Sequence, residues 1–269
     1  MRQNIARPLA GKRIVITRAP EQSTELISAL EALGAEIFLM PTMRFLPPEN
    51  WAHVDSAIEH IHEFDWILFT SKNALRFLTK RIFLSGKRDI LQRLRIGAVG
   101  PKTLILAKAE GLNVDFVPQH HTGEALAREL GSELAGKRVL LPRSDRADDR
   151  LPAALRDIGA KVTEVIAYRT TSPETLDPEV MQRVQNGGVD VIVFASPSSF
   201  HNLCDWIPAE ELARLSRDVQ FAVIGPTTAE ALRKAEVHVA IEADDASSAG
   251  IANAIVSYYE KHPAITRQP

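Results

Sequence analysis

Hydroxyl groups and cations recur in this chain at the places where short apolar runs end. Thr17-Arg18, Thr70-Ser71-Lys72-Asn73 and Gly100-Pro101-Lys102-Thr103 each follow such a run. So do Pro142-Arg143-Ser144, Ala195-Ser196-Pro197-Ser198-Ser199 and Gly225-Pro226-Thr227-Thr228. Hydroxyls, free backbone N–H groups and a few guanidinium or ammonium groups are the donors that an anionic ligand accepts from. Arg18, Ser71, Lys72, Lys102, Thr103, Arg143, Ser196, Ser198, Thr227 and Thr228 are therefore candidate ligand contacts. Each also has a plainer use. Ser71, Ser196 and Ser198 suit helix N-caps, and Gly-Pro suits a first helical turn that Thr103 or Thr228 closes. Arg18 and Arg143 suit a surface, and the run from Arg143 to Arg150 suits a solvated, self-paired helix start.

Other chemistries lack their signatures. No G-x-G-x-x-G follows an apolar run, and there is no G-x-x-x-x-G-K-S/T phosphate loop. No G-x-S-x-G elbow is present. The eight histidines show no metal-ligand spacing: His120 and His121 are adjacent, and His60 and His62 fall on different faces of a helix. Nucleotide, metal and serine-hydrolase chemistry are all disfavoured.

The elements that position the candidate loops are written twice. The stretch 11–37 aligns without a gap on 136–162, and nine of 27 positions are identical. The same offset of 125 (Gly11 onto Gly136) places Asp65–Ser71 on Asp190–Ser196 and Ala98-Val99-Gly100-Pro101 on Val223-Ile224-Gly225-Pro226. It also sets Thr122-Gly123 on Ser247-Ser248. Apolar runs at 13–17, 36–40, 66–70, 96–99 and 114–117 correspond to runs at 139–141, 161–166, 191–195, 221–224 and 237–241. Near-continuous β-branched runs of this length suit strands buried on both faces. Helical patterns lie between them, such as Leu26, Leu30 and Leu33, or Leu151, Leu155 and Ile158, with Gly34 and Gly159 as helix C-caps. Alternation of this kind predicts two similar α/β domains, each a doubly wound parallel sheet. Ligands of such sheets bind beyond the carboxyl ends of the strands, where the candidate residues fall, and helix N-termini there favour anions.

Composition sets the outer bounds. The 269 residues, 45% hydrophobic and 25% charged, are enough for two globular domains. No apolar run reaches the length of a membrane span, and the stretch 1–9 lacks the apolar centre of a signal peptide, so a cytoplasmic location is expected. The net charge of −2 argues against nucleic-acid binding. The single cysteine, Cys204, has no partner for a disulfide or zinc site and is expected to be a small buried residue.

The motifs Ile14-Val15-Ile16-Thr17-Arg18, Phe69-Thr70-Ser71-Lys72-Asn73-Ala74 and Val99-Gly100-Pro101-Lys102-Thr103 occur in that order. Val165-Ile166-Ala167-Tyr168-Arg169-Thr170, Phe194-Ala195-Ser196-Pro197-Ser198 and Ile224-Gly225-Pro226-Thr227-Thr228-Ala229 follow. Together they resemble the uroporphyrinogen-III synthase family, from about residue 11 to residue 258. Ala195 stands where the family often has Thr or Ser. The resemblance implies domains that exchange their N-terminal strand-helix units and are joined by a two-stranded linker. Residues 1–38 would pack with 172–269, and 43–165 would form the second domain. The linkers would lie near 39–46 and 165–172, with crossing strands at 40–46 and 165–172.

The reaction it implies is loss of water from hydroxymethylbilane, a linear tetrapyrrole held between the domains, with ring closure to uroporphyrinogen III. Departure of the hydroxyl gives an azafulvene. The terminal pyrrole attacks through its substituted carbon, and the spiro intermediate fragments and recloses with that ring inverted. Spontaneous closure gives the uninverted isomer, so catalysis is chiefly positioning. Tyr168 is the candidate acid, although tyrosine also suits a half-buried strand. The same resemblance implies a monomer with no metal or cofactor, no nucleic-acid or membrane partner, and a transient contact with the preceding pathway enzyme. Two other readings are a two-domain ligand-binding protein and a degenerate copy serving a regulator. Chelators and added nucleotides should leave conversion of hydroxymethylbilane unchanged; turnover lost in chelator and restored by a divalent ion would contradict the cofactor-free reading.

Overall fold

The computed structural model describes residues 7–263; expectations that fall on 1–6 and 264–269 lie outside the described residues. The strands are β1 (Arg13–Ile16), β2 (Glu36–Leu39), β3 (Arg44–Leu46), β4 (Trp66–Phe69), β5 (Arg95–Ala98), β6 (Arg138–Ser144), β7 (Lys161–Thr171), β8 (Val191–Phe194), β9 (Gln220–Val223) and β10 (Ile241–Glu242). The helices are α1 (Thr24–Ala32), α2 (Ala52–Glu59), α3 (Lys72–Leu84), α4 (Pro101–Ala109), α5 (Gly123–Leu130), α6 (Arg150–Asp157), α7 (Pro178–Gln185), α8 (Pro197–Cys204), α9 (Ala209–Leu215), α10 (Pro226–Lys234) and α11 (Ser248–Lys261). No described helix is long and apolar enough to cross a membrane.

Two compact units result. One comprises the chain up to Arg44 together with the chain from Ser172 onward, and the other is Phe45–Thr171. The first holds a sheet in the order β10-β9-β8-β1-β2 and the second a sheet in the order β3-β7-β6-β4-β5. β1 runs parallel to β2 and β8, and β6 runs parallel to β7 and β4. The registers repeat at the sequence offset: Ile14 faces Val191, and Val139 faces Trp66.

Helix ends follow local chemistry. Ser71, Thr122, Ser196 and Ser247 each accept a backbone N–H of the first turn of α3, α5, α8 and α11. Pro101, Pro178, Pro197 and Pro226 stand at first helical positions, where a missing N–H costs nothing. Gly34 and Gly159 follow α1 and α6 in left-handed conformation (φ 96° and 86°), which a side chain would strain. Pro142 is tolerated inside β6 because the pairing with β4 extends only to Leu140.

Burial explains why the strands read as unbroken apolar runs. β4, β8 and β9 are buried at every position, between two layers of helices. Ile192, Phe194 and Phe221 pack on Phe200 and Leu232 on one face of the first sheet, while Ile14, Ile16 and Val193 pack on Leu30 and Ile255 on the other. In the second unit Ile67 and Phe69 meet Leu78 and Ile82, and Trp66 and Leu68 meet Leu126 and Leu155. Each such side chain contributes roughly 1.5–3 kcal/mol of burial.

Two expected strands shrink. The run 114–117 forms only a single bridge from Phe116 to Gly97, because the Asp115 carboxylate takes the N–H of Ile96 at 2.7 Å and Pro118 has no donor. The run 237–241 pairs only at Ile241–Glu242, since the N–H of His238 goes to Ser216 Oγ at 3.1 Å. Conversely, β6 extends past its expected run, to Ser144, and β7 continues from the run 161–166 to Thr171, through the segment expected as a crossing strand. Cys204 is half-buried rather than buried, and burial raises its thiol pKa, with a further push from Asp205.

Each sheet is clamped where its distant strands meet. Asp190 accepts the backbone N–H of Arg13 at 2.8 Å and its Nε–H at 3.3 Å. Asp65 accepts the backbone N–H of Arg138 at 2.8 Å and Lys137 Nζ at 3.3 Å. The backbone bond from Arg138 is the main reason the Asp65 carboxyl sits below its usual range, against partial burial. Because the Asp190 side chain is only 9% exposed, water cannot replace it. Asp190→Ala should therefore cost about 1.5–3 kcal/mol, the range for bonds to charged groups. A lower urea midpoint at constant slope is the expected reading; an unchanged midpoint would contradict the clamp.

The strand order generates a second test. The fragment 45–171 holds β4 to β7 with both faces covered, and should unfold cooperatively in urea. The fragment 1–125 separates β1 from β8 and β4 from β6, and should not. A cooperative transition for 1–125 would contradict the observed pairing.

Candidate functional site

In an open α/β sheet the strand order reverses at one point, and a crevice forms at the carboxyl ends there. In the second unit that point lies at β6 and β4, and a pocket of about 270 Å³ opens at it. Thr70 beyond β4, Leu141 and Arg143 on β6, and Gly123 and Glu124 at the start of α5 contribute to its lining. The remaining wall is the loop of residues 145–149 with the first turn of α6, which add Arg146, Asp148 and Arg150.

Arg143 organises that wall. It is 6% exposed, so its expected place on the surface is corrected here, while residues 145–150 are exposed, as expected of a solvated helix start. Its Nη1 meets Glu164 of β7 and, at 3.3 Å, Asp149. Its Nη2 donates to the carbonyl oxygens of Ala147 and Asp148. A side chain expected on the surface is inside because the loop wraps around it. Glu164 also pairs with Arg156 of α6 at 2.5 Å. Burial opposes its charge, but the hydrogen bonds from Arg156 and Arg143 prevail and hold its carboxyl below the usual range. The self-paired part of the expectation is met: Arg150 bonds Asp148 at 2.7 Å and approaches Glu124 at 3.3 Å.

A second group lies on the same sheet. The Tyr168 ring, on β7, is stacked on Phe77 (centroids 5.8 Å apart, planes at 13°) and meets the edge of Phe45 at 5.9 Å. Ala74 and Ala167 complete its surroundings, leaving it 7% exposed. Its hydroxyl lies 3.2 Å from Ser71 Oγ, which also accepts the N–H of Ala74 at 3.0 Å. Ser71 thus caps α3 and holds the phenol together, so the plainer use and the candidate role coexist. Lys72, next along, is half-buried; Lys102 is exposed and Thr103 buried in the first turn of α4. Tyr168 and Ser71 do not line the pocket at Thr70.

The first unit presents the matching edge. Arg18 follows β1, half-buried, with Nε donating to Gln22 at 2.9 Å; burial lowers its pKa, and Glu25 partly restores it. Thr17 Oγ1 crosses the switch point to the carbonyl of Val193 at 2.8 Å. Ser196 caps α8 by accepting the N–H of Ser199 at 3.2 Å. Ser198 and Thr227 are exposed, and Thr228 is buried in the first turn of α10. Thr42 ties this edge together, donating to the carbonyl of Ser199 at 3.1 Å while its own carbonyl accepts from Asn202 at 3.1 Å. A wider groove, about 780 Å³, runs along β10 and α11 past His238, Tyr258 and His262, away from every expected site residue. Chemistry and strand order favour the carboxyl edges over its greater size. Among the described residues no cluster of His, Cys, Asp and Glu is arranged to hold a metal.

Sequence reasoning missed Glu164, Phe45 and Phe77. The signal for Glu164 was a lone carboxylate between Thr163 and Val165 in a β-branched stretch, where a half-buried charge favours a cation on the neighbouring strand.

A family model described as uroporphyrinogen-III synthase HemD matches residues 24–253. A uroporphyrinogen-III synthase of Synechococcus elongatus is 31% identical over 92% of this chain and 96% of its own length. A putative uroporphyrinogen-III synthase of Methanothermobacter thermautotrophicus is 34% identical over 84% of this chain and 89% of its own. Among solved structures, a mutant uroporphyrinogen III synthase of Thermus thermophilus matches with a TM-score of 0.61 at 19% identity, covering 93% of this chain and all (100%) of that one. A uroporphyrinogen-III synthetase of Helicobacter pylori matches with a TM-score of 0.60 at 17% identity, covering 91% and 99%. The structures support the fold, and the family model and relatives go further: the chain belongs to the uroporphyrinogen-III synthase family, lyases of porphyrin biosynthesis.

Proposed function

We propose that the chain dehydrates and cyclises hydroxymethylbilane to uroporphyrinogen III, with Tyr168 assisting departure of the hydroxyl. The observation that carries this is the Tyr168 hydroxyl, 3.2 Å from Ser71 Oγ on a ring clamped by Phe77 and Phe45. Rings packed this way fix the place of the phenol oxygen, and general acid catalysis requires a donor held in place. As the carbon–oxygen bond breaks, the phenol donates its proton to the leaving oxygen, and the N–H proton of the same pyrrole returns the phenolate to phenol. Water departs, and the azafulvene that remains is attacked by the terminal pyrrole at its substituted carbon. The inverted outcome then depends on holding that ring in place, a matter of positioning.

The substrate is rich in carboxylates, and the remaining candidates supply donors for them. In the second unit these are Ser71, Lys72, Lys102 and Thr103, with the pocket at Thr70 and Arg146 receiving a carboxylate. Arg143 acts there as the anchor of the pocket wall. In the first unit they are Arg18, Ser196, Ser198, Thr227 and Thr228. The repeated registers support descent from one duplicated domain whose copies exchanged their first strand-helix units, about 1–38 and 136–165. The pairing of β3 with β7 in one sheet supports linkers near 39–46 and 165–172. The enzyme acts as a cytoplasmic monomer without a cofactor and receives its substrate from the preceding pathway enzyme.

Tyr168→Phe keeps the ring and its stacking, and removes one hydrogen bond to a half-buried serine. Its kcat should fall by about 10²–10⁴-fold, the usual range for a general acid. Its melting temperature should change little, because a neutral hydrogen bond contributes only about 0.5–1.5 kcal/mol. Thr103→Ala and Thr228→Ala should have smaller kinetic effects. Type III isomer formation against time, with melting temperature alongside, decides it. Wild-type turnover in Tyr168→Phe would remove the acid role and leave the synthase activity standing.

A further inference from the structure

We propose that Glu164 is a positioning residue: through the buried Arg143 it fixes the loop of residues 145–149 and so shapes the pocket wall that a substrate carboxylate meets. This rests on the reading of that pocket given above. Glu164 does not line the pocket itself. It pairs with Leu141 in the β6–β7 register, so its side chain shares a face with Leu141 and with Arg143 two residues on. One carboxylate oxygen takes Arg143 Nη1, and the other takes Arg156 Nη2.

The Arg143 side chain is 7% exposed, so its charge needs a counter-charge also out of water. Asp149 is the other carboxylate bonded to it, but that side chain is 93% exposed, and solvent screens the pair. Glu164, at 26%, is the effective one. With its charge balanced, Arg143 spends its second nitrogen on the carbonyl oxygens of Ala147 and Asp148. Those bonds pin the last part of the loop, just ahead of α6. The first part is pinned separately: Asp145 accepts the N–H of Thr170 at 2.9 Å, and Ser144 meets Thr170 Oγ1 at 3.2 Å. Removing Glu164 therefore loosens the end of the loop that carries Arg146 and Asp148 into the pocket, while its start stays tied to β7.

Two measurements on the full chain test this. In Glu164→Gln, amide hydrogen exchange should quicken at residues 146–150 and not in β4 or β6. With hydroxymethylbilane, KM should rise about 10-fold to 100-fold, the scale of a misplaced contact, at near wild-type kcat. Arg143→Lys keeps the charge but cannot reach both carbonyls, and should give the same KM. The double variant should be no worse than either single, because both act through one connection. Arg156→Gln leaves Glu164 on Arg143 and should keep the wild-type KM. If Glu164→Gln does not fold, Glu164→Asp, one methylene shorter, is measured in the same two ways with a smaller expected effect. Unchanged exchange in a folded variant overturns the positioning role. Faster exchange with unchanged KM also overturns the proposal, by removing the pocket from substrate binding. Additive effects of the two variants overturn the route through Arg143. A wild-type chain that formed no type III isomer would instead count against the activity itself.

Discussion

Both sheets depend on strands that meet across long stretches of chain. Arg13 and Asp190, 177 positions apart, join β1 to β8, and Arg138 and Asp65, 73 apart, join β6 to β4. These are central strands, so without the join neither sheet has a middle. A carboxylate bonded to the first N–H of the incoming strand fixes its register, and a one-residue slip would turn the apolar side chains of Ile14, Val15 and Ile16 to the wrong layers. The first unit cannot close until the chain from Ser172 onward has been made, whereas Phe45–Thr171 is complete much earlier. High sequence separation of contacts also slows folding, so the first unit should be the later one to form.

The same join decides where chemistry can happen. Parallel strands end together, and where the order reverses their following loops part and leave a crevice. In the second unit Thr70 and Arg143 meet there. In the first unit Thr17 reaches the carbonyl of Val193 across the corresponding gap. A fold that must bury every central strand on both faces has few other places to display polar groups. The loop backbones carry their own hydrogen-bonding needs, met by Ser71, Thr42, Ser199 and Arg143.

Much of this was legible in the sequence because it depends on local patterns. Buried strands show as β-branched runs, serine caps stand one residue ahead of α3 and α8, and the offset repeat reproduces the paired registers. What was not legible depends on contacts with no local mark. Tyr168 reaches Ser71 across 97 positions, and Phe77 presents itself as one more apolar residue of α3 until the ring beside it is seen. Arg143 reads as a surface cation because its neighbours are Asp145, Asp148 and Asp149; only the adjacency of β7 reveals Glu164 beneath it. The short β10 was hidden for a similar reason, since the competing acceptor for His238 is Ser216, 22 residues earlier.

Two units with repeated registers need not carry two equal sites. At the repeat offset Tyr168 falls on Met43, Thr70 on Ala195, and Lys102 on Thr227. The decisive difference is at the paired arginines. Glu164 falls on Leu39, so nothing equivalent to its carboxylate lies beside Arg18. Arg143 is charge-compensated inside its own unit and serves structure. Among the described residues Arg18 bonds a neutral Gln22, loses proton affinity to burial, and regains part of it from the charge of Glu25. A ligand carboxylate would add to the partial counter-charge at Arg18, and would find Arg143 already satisfied.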